Sequence, residues 1–164
     1  MATITLKGNP FHTNGDVPAT GATLADVTLT SGGLEDTQLS KFSGTRILNI
    51  FPSIDTPVCS ASVRKFNEKA AAIDGVTVLN ISNDLPFAMN RFCGAEGIEG
   101  VHVLSGFRSD ASKELGFEIT DGPFKGLFAR AVVILDGAGV VKYVELVPEI
   151  AQEPDYDAAI AALS

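Results

Sequence analysis

The sequence predicts an α/β fold: a mixed central sheet with helices on both faces and an N-terminal β-hairpin. Three observations carry that reading. Four short runs, 46–51, 76–81, 101–104 and 131–135, are almost wholly apolar, as strands buried on both faces must be. Helical stretches separate the first three, and strand–helix alternation builds a parallel core. After the last run, Asp136-Gly137-Ala138-Gly139 turns the chain back into 140–146, which adds antiparallel strands.

Each element has a local reason. Residues 3–7 alternate, Gly8-Asn9-Pro10 reads as a turn, and Phe11-His12-Thr13 returns as a second strand. Residues 14–26 are loop-like; 27–30 form a brief strand before the turn Ser31-Gly32-Gly33, and 39–42 a helical turn ending at Gly44. Pro52 ends the strand 46–51. The helix that follows places Val63, Phe66, Ala70 and Ile73 on one face and is closed by Gly75. Asp84-Leu85-Pro86 starts a second helix that Gly94 stops; 109–115 forms a short one closed by Gly116. Glu153-Pro154-Asp155 opens a C-terminal helix through Leu163. No linker or repeat interrupts the chain, so 1–164 is expected to be a single domain.

Composition excludes whole classes of function. With 45% hydrophobic and 20% charged residues, the chain is no disordered segment. Twelve basic against 20 acidic residues give a net charge of −8, which repels phosphate backbones, so neither nucleic acid nor an anionic membrane is an expected partner. No apolar run approaches the roughly 20 residues of a membrane span. The first residues lack a basic segment followed by a long apolar run, and a cytoplasmic location is expected. Cys59 and Cys93 form no C-x-x-C pair, and with His12 and His102 they are too scattered for a zinc site, so no metal is expected. Asn80-Ile81-Ser82 matches a glycosylation sequon by chance, since it falls on a buried strand end.

The chemistry concentrates around Cys59. The segment Pro52-Ser53-Ile54-Asp55-Thr56-Pro57-Val58-Cys59 joins a buried strand to an amphipathic helix. Thr56 suits an N-cap and Pro57 the first helical position, which puts Cys59 in the first turn, where unpaired amides and the helix dipole favour an anion. Two readings stand: a thiolate nucleophile, or a small buried residue. Thr56 is likewise either a cap alone or a hydroxyl that also bonds sulfur or substrate. Cys93 lies at a helix C-terminus, where the dipole disfavours a thiolate; it is a core residue or a second nucleophile that attacks an oxidised Cys59. Arg130, between Ala129 and Ala131, is a strand-end residue reaching solvent or a fixed cation beside Cys59.

The stretch 52–59 has the P-x-x-x-T-x-x-C form of peroxiredoxins. The wider run 48–56, Ser62-Val63-Arg64-Lys65-Phe66-Asn67, Asp84-Leu85-Pro86-Phe87-Ala88, 91–97, Ala129-Arg130-Ala131-Val132 and Glu153-Pro154-Asp155-Tyr156 resemble the thiol peroxidase branch, of atypical 2-Cys type, over nearly the whole chain. The resemblance implies a thioredoxin-like fold and a homodimer that reduces hydroperoxides without metal, haem or flavin cofactor. It implies that Cys59 is the peroxidatic and Cys93 the resolving cysteine of the same subunit, that Pro52 shields the sulfur, that Thr56 and Arg130 orient thiolate and peroxide, and that thioredoxin is the reductant. Two departures are visible: Pro57 stands where many members have Gly, and Asn80 where some carry a third Cys. A cysteine hydrolase would need a base near Cys59, and neither His follows such a pattern. A non-enzymatic redox switch would use the same disulfide but would not turn over.

Overall fold

The structure, a computed structural model, describes residues 1–163. A two-stranded hairpin, β1 (Thr3–Leu6) and β2 (Asn9–His12), precedes a seven-stranded mixed sheet. The sheet strands are β3 (Thr28–Ser31), β4 (Asp36–Gln38), β5 (Thr45–Ile50), β6 (Val76–Ser82), β7 (His102–Ser105), β8 (Ala131–Leu135) and β9 (Val141–Leu146). Their order is β4-β3-β7-β6-β5-β8-β9, with β5, β6 and β7 parallel and the flanking strands antiparallel. The helices are α1 (Pro57–Ala70), α2 (Pro86–Glu96), the single turn α3 (Ala111–Glu114) and α4 (Tyr156–Ala161).

Alternation along β5 assigns the layers. Ile47 packs with Phe66 and Ala70 of α1 and Ala159 of α4, while Leu48 and Ile50 face Ala111 and Leu115 around α3. A third cluster gathers Phe51, Cys59, Val63 and Met89 under α1 and α2. Full burial of side chains such as Val63 and Phe66 contributes about 1.5–3 kcal/mol each, which anchors α1 regardless of propensity.

Five local expectations need correction. The hairpin turn is Lys7-Gly8, not Gly8-Asn9-Pro10: Leu6 pairs with Asn9, and both turn residues have positive φ (52° and 80°), the geometry a two-residue hairpin requires. The strand β4 was not expected; Asp-Thr-Gln carries no apolar alternation, and only pairing with β3 makes it extended. Helix α2 runs through Gly94 and stops at Gly97 (φ 66°), whose amide caps the carbonyls of Cys93 and Gly94. Ile73 lies beyond α1 and is exposed. Helix α4 starts at Tyr156, capped by Asp155, whose Oδ1 accepts from the Ala158 amide at 3.0 Å, and it ends two residues before Leu163.

The hairpin is fastened at both ends. The His12 amide donates to Asp121 Oδ1 at 2.8 Å and its ring Nδ1 meets Oδ2 at 2.7 Å. Phe11 lies over Gly122, where an added Cβ would stand 2.0 Å from the ring at a φ of +73°. Gly122→Ala is therefore expected to cost about 1–3 kcal/mol, as overpacked sites do. Urea unfolding measures the loss, and hydrogen exchange of residues 3–12 should quicken; unchanged stability would mean that Phe11 moves freely.

Candidate active site

The carboxyl ends of β5 and β6 and the amino end of α1 converge, as ligand sites do in parallel sheets. Pro52 leaves β5 buried, and Thr56 occupies the N-cap of α1 (φ −96°, ψ 145°) with Pro57 in the first turn. The Thr56 hydroxyl does not cap. It turns back and donates to the Ser53 carbonyl at 3.0 Å, so it accepts nothing from the first-turn amides. Cys59 is fully buried in that first turn.

Arg130 does not reach solvent. It is 3% exposed, its Nε donates to the Ile150 carbonyl at 2.9 Å, and its Nη2 donates to Cys59 Sγ at 3.2 Å. Nη1 has no hydrogen-bond partner among the described residues. A buried guanidinium against a sulfur favours negative charge there, and the unpaired N–H is a donor available to an oxygen brought beside it. Tyr156 senses the same pair. Burial, and its hydrogen bond to Glu153 at 2.9 Å, push the phenol well above its ordinary value, while Arg130 pulls it down and Cys59 pushes it up.

A cavity of about 140 Å³ opens beside these groups. Thr56 and Arg130 supply its polar side chains, and Leu6, Pro52, Val58, Phe124 and Ile150 its apolar walls. Sequence reasoning missed those walls. Leu6 comes from the hairpin and Phe124 and Ile150 from distant loops, so no local pattern joins them. Of the apolar residues that flank the cysteines in sequence and would be expected to crowd them, Ile54 is buried with Cys59 and Phe92 packs against the same cluster, whereas Leu85 and Phe87 are exposed.

Two polar networks fix the cysteine segments. Ser62 Oγ donates to the Cys59 carbonyl at 2.7 Å and accepts from Asn49 Nδ2, which also donates to Asn80 Oδ1 at 2.9 Å. Asn80 is thus a buried link between β5 and β6. Asp84 accepts from Ser53 Oγ and the Ile54 amide, each at 2.7 Å, and from Ser82 Oγ at 2.6 Å, tying the Cys59 loop to the entry of α2. Cys93, half-buried, packs against the same apolar cluster as Cys59, and both are free thiols. Burial pushes the Cys93 thiol up. His12 pairs with Asp121, and His102 stacks edge-on with Phe42 at 4.9 Å, so neither adjoins this site. No group of acidic, His and Cys residues suited to a metal ion occurs among the described residues.

The Redoxin family profile matches residues 19–160. The thiol peroxidase of Mycobacterium tuberculosis is 55% identical over 164 residues, covering 99% of each chain. That of Corynebacterium glutamicum is 50% identical over 165 residues, covering 100% of both. A solved peroxiredoxin-like protein from Aquifex aeolicus superposes with a TM-score of 0.92 at 38% identity, over 99% of this chain and 96% of that one.

The two thiols should differ in reactivity. Because burial favours the protonated form of Cys93, a Cys59→Ser variant is expected to resist iodoacetamide at neutral pH and to react only above the ordinary thiol range. Rapid alkylation at neutral pH would contradict this.

Proposed function

The chain belongs to the redoxin family, in its thiol peroxidase branch, and from that premise we propose that it reduces hydroperoxides at Cys59 with Cys93 as the resolving thiol. The observation that carries this reading is the Arg130 guanidinium 3.2 Å from the Cys59 sulfur, at the amino end of a helix.

The Cys59 thiolate attacks the terminal oxygen of the hydroperoxide. The S–O bond forms as O–O breaks, sulfur loses two electrons, and the leaving oxygen takes a proton to become water or an alcohol. Arg130 stabilises charge on sulfur and on the parting oxygens, and its free Nη1 donor supports that role. Thr56, lining the cavity with its hydroxyl held by Ser53, orients the oxygen pair, and the buried Pro52 keeps water from the sulfur. Cys93 then attacks the sulfenic sulfur, releasing water and forming the Cys59–Cys93 disulfide, which a dithiol reopens by exchange. Thioredoxin as that dithiol, a homodimeric state and a cytoplasmic location complete the proposal. They are supported by the family resemblance, and no described helix is long and apolar enough to cross a membrane.

Stopped-flow peroxide reduction tests the roles. Cys59→Ser should lose activity, and Cys93→Ser should consume about one equivalent before stalling. The apolar walls favour alkyl hydroperoxides over hydrogen peroxide in kcat/KM, because only the former bury hydrocarbon there. A Cys93→Ser variant no faster than Cys59→Ser would refute the assignment, and a single turnover in the presence of thioredoxin would favour a switch over an enzyme.

Disulfide formation is expected to loosen both cysteine segments, each of which is held by its backbone carbonyl. Ser62 pins the Cys59 carbonyl, and the Gly97 and Ile98 amides pin that of Cys93. Local opening of a helix end costs far less than global unfolding. Hydrogen exchange across 84–96 should therefore be faster in the oxidised protein, with 46–51 and 131–135 unchanged; identical profiles would remove the need for opening.

A further inference from the structure

We propose that Glu149 is a positioning residue for Arg130: its carboxylate latches the N-terminal hairpin onto the segment 147–150, and that segment holds Arg130 against Cys59. The proposal rests on the roles of Cys59 and Arg130 given above.

The latch is built from the hairpin turn. Thr5 Oγ1 donates to Glu149 Oε2 at 2.6 Å, the Lys7 amide to Oε1 at 2.9 Å and the Gly8 amide to Oε2 at 3.3 Å. Lys7 and Gly8 both have positive φ, so their consecutive amides point to one side and make a concavity for an anion. The hydrogen bonds from Thr5 and the Lys7 amide hold the carboxyl below the ordinary range, so it is ionised and latched at neutral pH.

The latched backbone continues to the sulfur. Thr5 pairs with Glu149 as a parallel bridge, through the Thr5 amide to the Pro148 carbonyl (2.7 Å) and the Ile150 amide to the Thr5 carbonyl (2.8 Å). The Ile150 carbonyl then accepts Arg130 Nε, and the Val147 amide donates to the Arg130 carbonyl at 3.0 Å. Ile150 is therefore bonded through its N–H to the hairpin and through its C=O to the guanidinium. The Redoxin match begins at residue 19, after the hairpin, yet Leu6 of the hairpin walls the cavity beside Arg130.

The test uses the full chain with Glu149→Ala, Glu149→Gln, Thr5→Val and Arg130→Lys. Its readouts are kcat/KM for an alkyl hydroperoxide, the pH profile of Cys59 alkylation and thermal unfolding. The groups that act electrostatically at Cys59 are Arg130, which immediately precedes β8, and Tyr156 of α4; Cys93 of α2 shares its apolar cluster. Folded Glu149→Ala is expected to lose on the order of tenfold in kcat/KM, as small misplacements of catalytic groups do, and to shift the alkylation profile to higher pH. Glu149→Gln, keeping one acceptor oxygen, should recover part of both. Glu149→Ala should add nothing in an Arg130→Lys background, because the two act as one unit. Should Glu149→Ala not fold, Thr5→Val removes a single donor and should give a smaller loss with the same direction of pH shift. A wild-type rate and pH profile in either folded variant, or losses that add fully in the double variant, would overturn the latch. Wild-type kcat/KM in Arg130→Lys would instead overturn the catalytic reading on which the latch rests.

Discussion

A guanidinium sealed inside a protein must be surrounded by acceptors, because an uncompensated buried charge costs several kcal/mol. Around Arg130 those acceptors are one backbone carbonyl and one sulfur. Arg46, equally buried, shows the alternative: both its terminal nitrogens donate to carbonyls, of Leu39 and Asp136, at 2.7 Å. The site exists because Arg130 is left one carbonyl short, and Cys59 supplies the missing electron density. The cavity, the hairpin and the loop 147–151 are arranged around that pairing.

Keeping the pair together is a task for the backbone. Cys59 is held from below by the chain of Ser62, Asn49 and Asn80, which fixes its carbonyl to two central strands. The loop before it is held by Asp84, whose carboxylate also receives Ser82 at the end of β6. Satisfied polar networks of this kind rigidify a site more than apolar packing does, since each lost bond strands a buried group. Cys93 is held through its backbone carbonyl by the Gly97 and Ile98 amides, with no such side-chain network among the described residues. It sits in the last turn of α2, half-buried among apolar neighbours, with the exposed Leu85 and Phe87 at the other end of the same helix. The side-chain hydrogen-bond network thus surrounds the Cys59 segment and not Cys93.

The sequence by itself determined the sheet and the reacting segment. Apolar runs long enough for a strand, separated by 3.6-periodic stretches, favour a parallel core covered by helices. Pro57 and Thr56 set the start of α1 by local sterics, so the placement of Cys59 in a first turn was legible without coordinates. Signals that depend on a neighbour's register were not legible. The strand β4 has no pattern of its own, and Gly94 reads as a stop although Gly97, three residues on, takes the left-handed cap. Arg130 stood open between solvent and sulfur, because a strand end carries no information about what packs across it. Tertiary structure alone decided that Ile150, 20 residues away, and Cys59, 71 residues away, close on one guanidinium, and that Leu6 reaches the same cavity. Contacts at such separations follow from how the sheet twists and where its loops return, which no short window of sequence encodes.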